Sequence, residues 1–466
     1  MRFLSISNMK KAIHYMERNG IKKTFYAVLE RIFLKQEPYS YEEKDARLLM
    51  EQKEHLFASP CKFSILVPAY ETKEKYLKKL IESVLAQTYG EFELIIADAG
   101  NSGGVKQTVN AYSDERIVYM HLEYNGGISE NTNAALEAAE GDYIGLLDHD
   151  DFLEPNALFE MAKVIEEKKK TGEEAILLYS DEDKCDSGES AFFEPHRKMN
   201  FNLDLLMSNN YICHFLVMKA EVMKELTLRK EYDGAQDYDL VLRAVKKLLK
   251  EYGYEALNEK ICHIPEILYH WRCHQASTAA NPGSKTYAYE AGKKAIEDFL
   301  KEMKWNAEVV NTPHVGFYNI IADDIFASIG KVAAVGGKVV DQTGKIRAGI
   351  YQKDGNASFL GQYAGFSGYM HRTAMKQTAY ALDLRCMKLN RNFIRLFEEI
   401  TGMKYETDQE SGLFLWKQYN KSGEEWKNLS MEFGRRVSEN GFRLIYVPDY
   451  ICKVKKNGEW KWQKLQ

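Results

Sequence analysis

Four short apolar runs, each cut off abruptly by polar or turn residues, limit most strongly what this chain can fold into. Phe63-Ser64-Ile65-Leu66-Val67 stops at Pro68, and Phe92 to Ala97 stops at Asp98. Ile117 to Leu122 precedes the turn Asn125-Gly126-Gly127, and Tyr143-Ile144-Gly145-Leu146-Leu147 runs straight into Asp148. Runs of this length bounded by turn residues predict buried strands. Between them, Leu80, Ile81, Val84 and Leu85 fall on one face of a helix over 77–87, and Ser129 to Ala139 predicts another. Strands alternating with helices predict an α/β fold, a mixed and mostly parallel sheet with helices on both faces.

In such sheets ligands bind beyond the carboxyl ends of the strands. Three polar clusters fall on that rim: Pro68-Ala69-Tyr70-Glu71, Asp98, and Asp148-His149-Asp150-Asp151. One Asp after a strand is ordinarily a turn or cap residue. Three clusters on one rim predict a binding site, because four polar groups at a buried strand end need partners.

Further along, 175–180 predicts a strand leading to Asp181-Glu182-Asp183-Lys184, and 211–218 another. Gln236-Asp237-Tyr238-Asp239 opens an amphipathic helix carrying Leu240, Ala244 and Leu248, and 261–265 returns to strand. A polar, aromatic stretch then runs from Tyr269-His270-Trp271-Arg272-Cys273-His274 to Lys285. Residues 332–455 loosely repeat 175–273, with Tyr446-Val447-Pro448-Asp449 mirroring His263-Ile264-Pro265-Glu266. At 466 residues the chain needs more than one core. Three parts are expected: a helical region over 1–60, an α/β domain over 61–300, and an α/β half-domain over 301–466 without a counterpart of Asp237.

A net charge of −5 argues against nucleic acid as a partner. Seven scattered cysteines with no CxxC pair suit reduced thiols and a cytoplasmic setting. No run of about 18 apolar residues is present, so no membrane-spanning helix is expected. The first 35 residues are basic, and Ile13, Tyr15, Met16, Phe25, Val28, Leu29, Ile32 and Phe33 recur at roughly helical spacing. Such a segment either packs on the main domain or makes peripheral contact with the inner face of the membrane.

From about 62 to 300 these motifs resemble, in order, the family-2 glycosyltransferases of GT-A fold, the nucleotide-diphospho-sugar transferases. Phe63 to Tyr70 is similar to the family's opening strand, Leu94 to Gly100 to its second nucleotide-binding turn, Leu146 to Asp151 to its DxD motif, and Gly234 to Leu240 to its catalytic-base motif. Tyr179 to Lys184 with Leu268 to Arg272 looks like the branch that builds O-antigen and related cell-surface polysaccharides. The 318–455 region resembles the acceptor half of a second such domain. Three positions depart from the pattern: Glu71 replaces a frequent Asn, Ala99 a second Asp, and Gln236 the usual Glu before the base.

The resemblance implies an inverting transfer from a UDP- or dTDP-sugar to a growing cell-surface polysaccharide or lipid-linked glycan. Mg²⁺ or Mn²⁺ would use Asp150 as direct ligand, with Asp148 a second ligand or a partner of the ribose or a metal-bound water. Asp98 would accept the imide N–H of a pyrimidine base, and Pro68, Ala69, Tyr70 and Glu71 would line its other side. Gly127, Asn133, His149 and Arg272 complete the expected donor contacts. Asp237 is the expected general base, with an N-cap role and a substitute in Asp239 as the alternatives. Asp181, Asp183 and Gln236 are expected to touch sugar or acceptor, and His270, His274 and Lys285 to join Arg272 in a loop over the diphosphate. A degenerate, non-catalytic scaffold is the rival reading. A nucleotidyltransferase fits less well, because no glycine-rich phosphate loop follows the first strand.

Overall fold

The computed structural model describes residues 16, 20–21, 24–32, 39–274, 286–409, 411–454 and 460–462. They divide into two compact units. One comprises 38–201 and 210–303; the other takes the described part of 1–37, the short segment 202–209 and 304–466. The three-part reading divides the chain differently: here the described part of 1–37 and 304–466 fall in one unit. Residues 38–60 join the first unit, and 202–209 leave it for the second.

The first unit is built on one sheet. Its strands are β1 (Phe63–Ala69), β2 (Phe92–Asp98), β3 (Ile117–His121), β4 (Tyr143–Leu146), β5 (Phe152–Leu153), β6 (Leu177–Asp186), β7 (Phe192–His196), β8 (Leu216–Lys219) and β9 (Ile261–Cys273). They lie in the order β3-β2-β1-β4-β8-β6-β9-β5, with β7 paired to β6. The first four are parallel, as the alternation predicts. β8 enters antiparallel between β4 and β6, while β6 and β9 are parallel to each other. Every residue of β2 is buried, the signature of a sheet covered on both faces. Helix Glu74–Leu85 buries Leu80, Ile81 and Val84 of the expected face together with Leu77, while Leu85 is only partly buried. At roughly 1.5–3 kcal/mol per buried aliphatic side chain, this face and β1 dominate the local stability.

Two elements differ from expectation. β6 runs ten residues, straight through Asp181-Glu182-Asp183, and β9 runs on through Tyr269 to Cys273. A strand so rich in carboxylates has poor intrinsic propensity. It persists because its parallel partner β9 supplies His263 and His270 opposite those carboxylates.

The second unit contains β10 (Glu308–Asn311) and β11 (Tyr318–Ile321), which pair with each other. Its larger sheet joins β12 (Val332–Val340), β13 (Ile346–Ala348), β15 (Gln377–Ala379), β17 (Met387–Leu389), β18 (Arg443–Val454) and β19 (Trp460–Trp462). β14 (Ile350–Tyr351) pairs with β16 (Ala381–Leu382). Helix Gly423–Glu439 begins with a capping box between Ser422 and Glu425. Arg443 pairs with Asp204 inside this unit, both fully buried, which ties the 202–209 segment to β18.

The two units share a motif. In each, a long strand (β6, β12) has an antiparallel neighbour (β8, β17) and a parallel one (β9, β18) that follows a 17-residue helix. The parallel register slips at the same feature in both, Pro265-Glu266 in one and the stretch holding Pro448-Asp449 in the other. Where β6 carries Ser180, Asp181 and Glu182, β12 carries Gly337, Lys338 and Val339. A Cβ on Gly337 would strike the Tyr450 carbonyl, so no larger side chain fits there.

Lys338 is 2% exposed and donates to the Ala364 carbonyl at 2.8 Å. Burial pulls its pKa down to about 8, opposed by Asp449. Between that value and the ordinary lysine range the unfolded chain binds more protons than the folded one, so this group's contribution to stability rises with pH. Lys338→Met is therefore expected to stabilise the protein at pH 7 by up to about 3 kcal/mol. The gain should vanish as pH climbs through the lysine range. Urea unfolding of both proteins at pH 7 and pH 10.5 checks this; an equal gain at both would refute it.

Candidate active site

The carboxyl ends of β1, β2 and β4 bring together the three clusters read from the sequence. β1 ends at Ala69 opposite Asp98, the last residue of β2, and the Ala69 carbonyl accepts from the Ala99 amide. Asp98 is buried, its Oδ1 accepting from the Gly100 amide at 2.9 Å and its Oδ2 from the Tyr119 hydroxyl at 2.9 Å. Glu71 adopts a positive φ and its Oε1 accepts from the amides of Asn101 and Ser102, joining the loop after β1 to that after β2. Hydrogen bonds from Ser102 and Asn101 hold its carboxyl below the usual range. Tyr70 is 52% exposed beside this pair, and Tyr124, after β3, is 70% exposed.

The Asp148 to Asp151 turn divides its carboxylates between two jobs. Asp151 is buried, accepting from the Tyr269 hydroxyl at 2.5 Å and from the Arg272 amide at 2.7 Å. It anchors the turn to β9, and burial with the Asp150 and Asp148 charges pushes its pKa well up. Asp148 and Asp150 remain partly exposed. Asp150 Oδ2 faces His274 Nε2 at 2.6 Å, and His149 Nδ1 faces the Thr72 hydroxyl at 3.0 Å. No side chain caps helix Ala157–Lys170, so capping does not account for the acidic turn before it.

Among the described residues no three His, Cys, Asp or Glu side chains close around a metal position. Two oxygen donors spaced by one residue with an open side do fit a hard cation that completes its shell with phosphate oxygens and water. Such a cation would sit on Asp150 and Asp148.

Asp237 lies at the start of helix Gln236–Tyr252, whose cap residue is Ala235, so Asp237 is not the N-cap. Its Oδ2 accepts from Asn210 Nδ2 at 3.0 Å, and the Asn210 Oδ1 is buried without a partner. Asp148 feels this carboxylate. Its pKa is raised by its recessed position first, then by Asp150 and Asp237, against the opposing His214 and His149. The base candidate and the metal candidates therefore share one crevice. Asp239 points elsewhere: it is buried between the guanidiniums of Arg229 and Arg243. Gln236 Oε1 accepts from the Gly234 amide at 2.8 Å.

Several expected contacts are held within the protein instead. The Asn133 amide takes both backbone groups of Leu228, each at 2.8 Å. Asp181 accepts from His263 at 2.8 Å and from the Lys198 amide at 2.8 Å. Asp183 accepts from Tyr39 at 2.6 Å and faces His270 at 2.6 Å, and His270 in turn faces Glu154 at 2.8 Å. His270 lies inside β9 and is 1% exposed, so it is not part of a covering loop. Arg272 is fully buried: Nε donates to the Asp150 carbonyl at 2.6 Å and one terminal nitrogen to Glu189 at 2.6 Å, while its Nη2 has no partner. The guanidinium braces the acidic turn from behind. Lys285 lies outside the described residues. Gly127 has φ +96, and a Cβ there would lie 2.5 Å from Asp233 Oδ2, while Asp233 Oδ1 accepts from the Ser129 amide and hydroxyl.

His214 and Asn210 were not singled out in the sequence. β8 begins only at Leu216, which leaves His214 at the crevice, stacked on Tyr269 with ring centroids 4.7 Å apart. Its Nδ1 faces the buried Glu182 at 3.2 Å and its Nε2 faces Asp148 at 3.8 Å. Burial pulls the imidazole down, but Glu182 and Asp148 outweigh it and push it up to about 9. The Tyr269–His214 stack thus steadies Asp151 with one ring and Asp148 with the other.

A family model described as "Glycosyl transferase family 2" matches residues 64–226. Over 241 residues the chain is 38% identical to the "Uncharacterized protein y4gI" of Sinorhizobium fredii, covering 51% of this chain and 25% of that one. Over 255 residues it is 31% identical to the O-antigen biosynthesis protein RfbC of Myxococcus xanthus, covering 53% and 19%. Over 195 residues it is 31% identical to the putative colanic acid biosynthesis glycosyl transferase WcaA of Escherichia coli K12, covering 41% and 67%. The chain thus spans no more than 25% of the length of the first two of these curated relatives.

Proposed function

Since this chain belongs to glycosyl transferase family 2, we propose that its first unit moves a sugar from a UDP- or dTDP-sugar to a growing cell-surface polysaccharide or lipid-linked glycan, on the cytoplasmic side of the membrane. One observation carries the reading: the segment just before β8 contacts both candidates at the sheet's carboxyl edge, Asn210 holding Asp237 at 3.0 Å and His214 facing Asp148 at 3.8 Å. The O-antigen and colanic acid relatives support the acceptor class.

The nucleotide's base lies beside Asp98, whose Oδ1 and Oδ2 are held by Gly100 and Tyr119 and keep lone pairs for an imide N–H. The exposed ring of Tyr70 offers it a face. Asp150 and Asp148 would hold a Mg²⁺ or Mn²⁺ ion, which when bound would supply positive charge to the departing diphosphate. Asp237 receives the proton of the acceptor hydroxyl while that oxygen bonds to the anomeric carbon. The bond from that carbon to the diphosphate breaks in the same step, so configuration inverts and the nucleoside diphosphate leaves. Asn210 holds the Asp237 carboxylate at 3.0 Å and the buried Cys213 side chain also reaches it, which fixes the carboxylate's orientation. Among its described residues the second unit has no Asp-X-Asp turn and no counterpart of Asp237, and in this reading it does no chemistry.

Incubation with UDP- and dTDP-sugars and Mn²⁺, scored by release of nucleoside diphosphate, tests the proposal. Release from at least one pyrimidine donor is expected. Binding of these donors without any release would favour a scaffold, and release from guanine donors alone would overturn the role of Asp98.

A further inference from the structure

The helical segment 24–32 belongs to the second unit and is seated there by two side chains. Tyr26 packs edge-on against Phe366, ring centroids 6.4 Å apart, and lies over Gly365. Glu30 accepts from the Ser367 amide at 3.0 Å, the Ser367 hydroxyl at 2.9 Å and the Gly368 amide at 2.6 Å. These contacts fix which face of the helix is turned inward. At 100° per residue the opposite face carries Ile21, Phe25, Val28 and Ile32, spaced i, i+4, i+7, i+11. Their exposures are 76%, 58%, 44% and 51%. Large apolar side chains gathered in one exposed stripe mark a surface that something covers.

Charge identifies what covers it. Residues 1–37 contain eight Lys and Arg against Glu17, Glu30 and Glu37, in a chain whose overall charge is −5. A second copy of this helix would bring two basic segments together, whereas an anionic surface supplies the missing counter-charge.

We propose that this face docks on the surface of an anionic bilayer, with Ile21, Phe25, Val28 and Ile32 entering the boundary between headgroups and acyl chains, drawn there by the positive charge of the 1–37 sequence. Among the described residues no helix is long and apolar enough to cross a membrane, so the contact is peripheral. The inference goes beyond sugar transfer and stands or falls separately from it.

Sedimentation of the full chain with vesicles tests it. The protein is expected to sediment with mixed phosphatidylglycerol and phosphatidylcholine vesicles, far less with phosphatidylcholine alone, and less in high salt. The double substitution F25D/V28D should lower partitioning more than about tenfold, because it withdraws two apolar side chains and sets two like charges against the lipid. Its circular dichroism and melting temperature should match the parent, since both positions are exposed; the milder Val28→Ser should give an intermediate loss. Failure of the parent to sediment with anionic vesicles, or equal sedimentation of parent and double variant, would overturn the proposal. So would light scattering that shows a dimer abolished by F25D/V28D with no vesicle binding, because a second copy would then cover the face.

Discussion

Asp237→Asn is expected to lower turnover roughly 10²–10⁴-fold, the range for losing a general base, with donor affinity unchanged. The substitution keeps size and shape, and an amide oxygen can still accept from Asn210. What it removes is the ability to take the acceptor's proton at the moment the new bond forms. Asp237 caps no helix and makes no ion pair among the contacts described, so stability should barely move. Asp239→Asn is the informative contrast. That carboxylate sits between Arg229 and Arg243, and breaking a buried charge network of this kind costs about 3–5 kcal/mol. Its activity loss should therefore come with a large fall in melting temperature, and Asp237→Asn should show the kinetic loss alone. Turnover by Asp237→Asn equal to that of the parent would remove Asp237 as the base.

Asp150→Ala is expected to weaken nucleotide-diphosphate binding in Mn²⁺ by about 100-fold or more, and to leave the weak binding seen in EDTA as it was. The distinction matters because Asp150 also faces His274 at 2.6 Å, so its loss disturbs one protein contact besides any metal. A purely structural role would change binding with and without the ion alike; a ligand role changes only the metal-dependent part. Titration calorimetry with UDP in the two buffers separates them. If the parent binds equally well with and without Mn²⁺, neither Asp150 nor Asp148 is a metal ligand in the sense argued above. Asp151→Asn should behave differently again. Tyr269 and the Arg272 amide hold that buried carboxylate, so its substitution loosens the whole turn and should lower stability and binding together.

Local pattern carried the first half of the sheet. β1, β2 and β4 follow the short apolar runs, although β1 continues through Pro68 to Ala69 and β2 takes in Asp98, and helix Glu74–Leu85 buries most of the face its spacing marks. Both follow from burial periodicity, which sequence displays directly. β6 escaped that logic. Its second half is Asp-Glu-Asp-Lys-Cys-Asp, which resembles a loop until β9 is placed beside it with His263 and His270. The same pairing takes Asp181, Asp183 and His270 into buried partnerships. Alternation along β6 sends the intervening Glu182 to the other face, towards His214. Asn210 and His214 had no local signal at all. Each matters only through a partner that the chain brings from elsewhere, Asp237 or Asp148.

By itself, then, the sequence determined the layered sheet, its carboxyl-edge crevice, and the residue types in it: an acidic turn at Asp148 to Asp151, a lone Asp98, and an acid at the head of a helix. Those follow from hydrophobic spacing and from the cost of leaving polar groups unpaired at a strand end. Only the tertiary structure decided which acids are free to act. Asp148, Asp150 and Asp237 keep open oxygens at the crevice, whereas Asp151, Asp181, Asp183 and Asp239 are buried against hydroxyls, histidines and guanidiniums. The division rests on long-range pairing: a buried carboxylate must find donors, and the donors here come from segments up to 144 residues away.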